Sequence, residues 1–154
     1  TAPAADGDAA AAGLFDAEIA AWLRASAPAR LLVLGADAAG LVTEAGTVVE
    51  LCTDVAMLAP DAHHDALLIR GALDGLDRRA GTLLLARARD RLAADCLAVL
   101  PRAVWDDGAV LGLGYTLRAR APHALLAHYA LATYKTVPDW LNSKFWAHPE
   151  RWQP

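Results

Sequence analysis

The chain alternates short, wholly apolar runs with stretches whose apolar residues recur at helical spacing. Leu31-Leu32-Val33-Leu34 is continuous rather than alternating, which predicts a strand with both faces covered, as in a parallel sheet. Thr47 to Cys52, Asp65 to Gly71 and Asp95 to Leu100 repeat that character and predict three further strands. Between and before them lie helical patterns. Leu14 to Ser26 places Leu14, Ile19, Trp22 and Leu23 on one face, and Pro28 stops it. Ala36 to Ala45 is a short helix ended by Gly46. Asp77 to Ala93 is the clearest helix, with Leu83, Leu84 and Leu85 turned partly inward and Arg79, Arg87, Arg89, Asp90 and Arg91 on a solvated face.

The remaining pattern changes period. Thr53 to His64 has little periodicity beyond room for a stunted helix. Asp106 to Gly114 reads as a short helix weakened by glycines, with Asp106-Asp107 at its N-cap. Tyr115 to Ala121 alternates as a half-exposed strand does, and Leu125 to Tyr134 is a second extended run. Together they predict an antiparallel hairpin at the sheet's edge. The layout is therefore α/β and three-layered: a mostly parallel sheet of about six strands closed by a C-terminal antiparallel hairpin. Residues 14–134 form the domain, 1–13 a flexible Ala-rich lead, and 135–154 an aromatic-rich tail packed on the domain.

Composition narrows the function classes. The 154 residues are 56% hydrophobic, and alanine supplies roughly a quarter of the chain, which favours close-fitting helices. A net charge of -4 gives no general attraction to nucleic acid or an anionic membrane. No apolar run has bilayer length, and no basic stretch precedes an apolar core at the N-terminus, so the expected location is the cytoplasm. Cys52 and Cys96 fall in apolar runs and read as core thiols. Cys96 has no neighbouring histidine to make it a nucleophile. His63-His64-Asp65 reads as a polar loop before a strand, since adjacent histidines point apart and no third ligand is spaced to join them.

Candidate chemistry gathers after the first strand, at Gly35-Ala36-Asp37-Ala38-Ala39-Gly40. A glycine loop at a strand's carboxyl end is either a nucleotide site or an ordinary turn that needs glycine for its backbone geometry. Leu32-Val33-Leu34-Gly35-Ala36-Asp37 resembles the first-strand motif of class I S-adenosylmethionine methyltransferases. Glu50, after Val48-Val49, resembles their acidic residue on the second strand. Asp65 to Leu73 is similar to their fourth strand and loop, and the helix from Arg79 leads into Cys96 to Pro101 as theirs does. The resemblance implies a reduced methyltransferase-like domain. In it Gly35, Ala36, Asp37 and Gly40 would line the methionine, Glu50 would hold the ribose, and Leu51 with Arg70 and Gly71 would flank the adenine. The usual Gly-x-Gly-x-Gly is altered, because Asp37 replaces a glycine.

The tail is the second informative feature. Trp140, Trp146 and Trp152 are interleaved with Lys144, His148 and Arg151. These six either pack over the sheet or anchor a protein partner. The segment from Trp140 to Trp152 is similar to the ending of a small proteobacterial family without an assigned activity. Three functions follow as expectations. The chain is a methyltransferase-like, S-adenosylmethionine-binding domain of undetermined substrate, its partner a small molecule or a protein. Alternatively it is a catalytically inactive relative serving as an interaction or assembly subunit through its tail, or a domain that binds another nucleotide.

Overall fold

The computed structural model describes residues 13–35, 46–58, 63–134 and 151. Its elements are α1 (Asp16–Ser26), β1 (Arg30–Leu34), β2 (Val48–Cys52), a short 3-10 turn (Val55–Met57) and β3 (His64–Ile69). After these come α2 (Arg78–Arg87), β4 (Ala93–Pro101), α3 (Asp107–Gly112), β5 (Thr116–Arg120), β6 (Ala124–Ala130) and α4 (Leu131–Tyr134). One six-stranded sheet runs in the order β2-β1-β3-β4-β6-β5. The first four strands are parallel, and β6 pairs antiparallel with both β4 and β5.

The apolar runs explain the layers. In β1 every residue after Arg30 is buried. Leu31 and Val33 join Phe15, just before α1, and Ile19 and Leu23 of α1 on one face, while Leu32 and Leu34 join Leu84, Leu85 and Trp105 on the other. At about 1.5–3 kcal/mol for each fully buried Leu or Ile, these two clusters supply the main stabilising term. By contrast β2 is one of the sheet's two outer strands, and Val48 and Leu51 stay exposed. The hairpin is present, with β6 inserted between β4 and β5. That position buries β6 on both faces, so its apolar run does not alternate.

Three expectations are corrected. The second hairpin strand stops at Ala130, and Leu131–Tyr134 turns into a helix. The long helix gives way after Arg87 to a π-turn over Ala88–Leu92, which widens the coil while keeping Ala88 and Leu92 buried. Within that helix Leu84 and Leu85 face the core, but Leu83 is 65% exposed, because three consecutive helical residues cannot share one face. The Ala36 to Ala45 helix, the lead 1–12 and the tail apart from Arg151 lie outside the described residues.

The short helices are held at their starts by aspartates. Asp77 accepts the Ala80 N–H at 2.8 Å, and Asp106 accepts that of Ala109 at 2.8 Å. Asp106→Ala should lower unfolding free energy by about 1 kcal/mol, read from urea denaturation, whereas Asp106→Ser should retain most of it. Among the described residues no helix is long and apolar enough to cross a membrane.

Candidate functional site

The order of the strands places a topological reversal between β1 and β3. From β1 the chain goes to β2 on one side, then returns to β3 on the other. In open α/β sheets the carboxyl ends at such a reversal form the ligand crevice. Here the two ends meet at Gly35 and Gly71. The Gly35 N–H donates to Cys52 O at 2.8 Å, and the Arg70 N–H donates to Leu34 O at 3.0 Å. Both glycines have positive φ, +83° and +91°. A Cβ on Gly35 would lie 2.3 Å from the Ala72 backbone nitrogen, and one on Gly71 would lie 3.1 Å from Gly35 O. Gly35 is therefore required by backbone packing between the two loops.

Beside this junction lies a cavity of about 430 Å³, within the range of small-molecule sites. Thr53 and Asp54 line it from the end of β2, Ala72 and Leu76 from the loop after β3, and Leu83 and Arg87 from α2. The exposure of Leu83 has its place here, as one apolar wall. Asp54 is oriented by its own turn: its Oδ1 accepts the Ala56 N–H at 3.0 Å, and its backbone oxygen accepts the Cys52 thiol at 3.0 Å. Oδ2 has no partner among the described residues. A carboxylate oxygen free to accept, next to apolar walls, suits the vicinal hydroxyls and flat base of a nucleoside. In the loop between Gly71 and Leu76, desolvation raises the Asp74 carboxyl above the ordinary carboxylate range.

The residues singled out from sequence are distributed differently. Glu50 stands opposite Leu32, two positions before the end of β2. Its Oε2 lies 2.7 Å from His64 Nε2. The Glu50 side chain is 54% exposed and that of His64 only 2%. It is the imidazole that is buried and needs a partner, and the carboxylate supplies it. His64 is thus the first residue of β3 rather than part of a polar loop. Its Nδ1 is buried with no hydrogen-bond partner among the described residues. Arg70 reaches back to α1, with Nη2 3.3 Å from Asp16 Oδ1. Leu51 is half exposed on the outer strand. Of the sequence candidates, the fold brings Gly35 and Gly71 together and leads Glu50 and Arg70 to protein partners.

Ala36, Asp37 and Gly40 lie outside the described residues, as do Trp140, Lys144, Trp146, His148 and Trp152. Arg151 is exposed. Asp54 escaped notice in the sequence because it stands two residues beyond the apolar run. The available signal was position: an acid just past a strand's carboxyl end is better placed for a ligand than one within the strand. Among the described residues no group of histidine, cysteine and acidic side chains could hold a metal. Cys96 is buried, and its thiol pKa is pushed up by burial and then by the neighbouring Asp95 carboxylate, so it stays protonated and unreactive.

Comparison with known proteins agrees with this architecture. A family model described as a family of unknown function, DUF6231, matches residues 15–154. No curated protein sequence matches. Among solved structures, the magnesium protoporphyrin IX methyltransferase ChlM from Synechocystis PCC 6803 with bound SAM aligns at a TM-score of 0.53. Identity is 10%, over 77% of this chain and 79% of that one. The same enzyme with bound SAH aligns at 0.53 and 8% identity, over 77% and 83%. At such identities the likeness establishes the fold, a reduced methyltransferase-like sheet.

Proposed function

The chain belongs to the DUF6231 family, and from that premise we propose that this methyltransferase-like domain binds S-adenosylmethionine at the carboxyl edge of its sheet. The observation that carries the reading is the cavity beside the Gly35–Gly71 junction, where Asp54 presents a carboxylate oxygen with no other partner among the described residues. Asp54 is assigned the ribose hydroxyls, the role that Glu50 suggests from sequence, and Leu76 and Leu83 are assigned the adenine. Glu50 and Arg70 are engaged by His64 and Asp16, and Gly71 lies against the Gly35 backbone. When bound, the cofactor supplies an electrophilic methyl group. Methyl transfer rests chiefly on holding acceptor and methyl in line, so a site built on shape and orientation is suited to it without a dedicated base. The two crystal structures of ChlM with SAM and SAH support the cofactor class.

The test is thermal denaturation and calorimetry with S-adenosylmethionine and S-adenosylhomocysteine. At about one hundred times Kd the ligand should stabilise the fold by roughly 2.7 kcal/mol, a rise of about 8 °C for a chain of this size. Asp54→Ala should weaken binding about tenfold or more, the worth of a hydrogen bond to a charged acceptor, while Glu50→Ala should leave affinity nearly intact. No shift with either compound at millimolar concentration would overturn the proposal, as would the opposite ranking of the two variants for the assignment of Asp54.

A further inference from the structure

On the opposite face of the sheet, between α1 and the β5–β6 hairpin, lies a second cavity of about 370 Å³. Its floor is Leu97 and Leu126, each at most 2% exposed, and Trp22 forms a wall. Glu18 and Arg118 line the same cavity from α1 and from β5. A long cation on an outer strand ordinarily samples many rotamers in water. Arg118 is aimed instead by a chain of part-buried groups. The Trp22 Nε1–H donates to Asp95 Oδ1 at 3.0 Å, His128 Nε2 lies 2.6 Å from the same oxygen, and Arg118 Nη2 lies 2.7 Å from His128 Nδ1.

The chemistry of that chain sets its protonation. A guanidinium has only donors, so His128 Nδ1 must offer its lone pair, and the ring proton sits on Nε2 and is donated to Asp95. Both ring nitrogens are then engaged and neither is left for acid–base catalysis. What the chain achieves is to fix the direction of Arg118, since it joins α1, β4, β5 and β6 through one oxygen and one ring. The other N–H groups of Arg118 have no partner among the described residues. Neither does the Glu18 carboxylate, and the two do not pair with each other although they share the cavity. An apolar floor lies between a positioned cation and an anion unpaired among the described residues.

We propose that this groove binds a free α-amino acid with an apolar side chain. The carboxylate meets Arg118, the ammonium faces Glu18, and the side chain lies over Leu97 and Leu126 beside Trp22. Charge complementarity selects the zwitterion: a simple carboxylate is repelled by Glu18 and a simple amine by Arg118. The site is separate from the crevice at the carboxyl ends and independent of the reading proposed for it.

The experiment is calorimetric titration of the full chain with L-phenylalanine and L-leucine, with 3-phenylpropionate and 2-phenylethylamine as singly charged controls. Saturable binding is expected, with L-phenylalanine about tenfold tighter than either control, the worth of one charge-assisted contact. Arg118→Gln and Glu18→Gln should each lose about tenfold in affinity; Glu18→Gln, at an exposed residue, should melt as the parent chain does, whereas Arg118→Gln, which loses the guanidinium donor to His128, should melt slightly lower. S-adenosylmethionine carries an amino-acid end of its own, so the titration is repeated with saturating S-adenosylhomocysteine, which should leave amino-acid affinity unchanged. Three outcomes would overturn the proposal: no saturable binding at millimolar concentration, equal affinity for the controls, or loss of the amino acid when S-adenosylhomocysteine is bound. Unchanged affinity in both variants would likewise refute the assignment.

Discussion

Gly35→Ala is expected to destabilise the protein by about 4 kcal/mol. Two penalties combine. The backbone at Gly35 has φ +83°, a region where an alanine costs about 1–3 kcal/mol. The added Cβ would also sit 2.3 Å from the Ala72 nitrogen, and forcing such overlap costs about 1–3 kcal/mol more. Thermal unfolding should fall by about 12 °C for a chain of this length. The control is Gly35→Ala combined with Ala72→Gly. Because the nearest atom is backbone, removing the Ala72 side chain should recover only a small part of the loss. A parent-like melting temperature for Gly35→Ala would mean that the loops after β1 and β3 do not abut, and the crevice geometry would fall with it.

The second large effect is expected at Asp95. One oxygen of this side chain receives both Trp22 Nε1–H and His128 Nε2, and through His128 it orders Arg118. Asp95→Ala leaves two buried or half-buried donors without an acceptor, at about 1–3 kcal/mol for each such group. A total loss of about 3 kcal/mol is expected from denaturant unfolding. Asp95→Asn keeps a carbonyl oxygen at the same place and should lose only about 1 kcal/mol. If alanine and asparagine prove equivalent, the acceptor oxygen does not organise the cluster. The Arg118 groove would then lose its positioning device, and amino-acid binding in Asp95→Ala would match the parent.

These two residues mark where sequence and tertiary structure divide. Gly35 was legible, because a glycine closing a continuous apolar run is a local signal, and so was the turn it makes. What it packs against was not, since Ala72 lies on another loop and comes close only because β3 pairs beside β1. The choice between Glu50 and Asp54 was illegible for the same reason. Both are acids near the end of β2, and their roles depend on which neighbour each meets. Glu50 meets His64, fourteen residues on, whereas Asp54 turns toward the cavity. The part-buried Asp95 cluster joins positions as far apart as Trp22 and Asp95, 73 residues along the chain, and nothing in the local pattern of either announces the other.

Read alone, the sequence determined where the six strands lie and where the helices after Leu14, Asp77 and Asp106 begin. Continuous apolar runs need cover on both faces, alternation tolerates water on one, and aspartates such as Asp106 satisfy the first N–H groups of a helix. Those causes act within a few residues. The tertiary structure decided the order of the strands, the partner of each carboxylate and the placing of Leu83 at a cavity rather than in the core. Such matters depend on groups brought together from distant parts of the chain, where burial and the need to pair each polar atom act on the assembled fold.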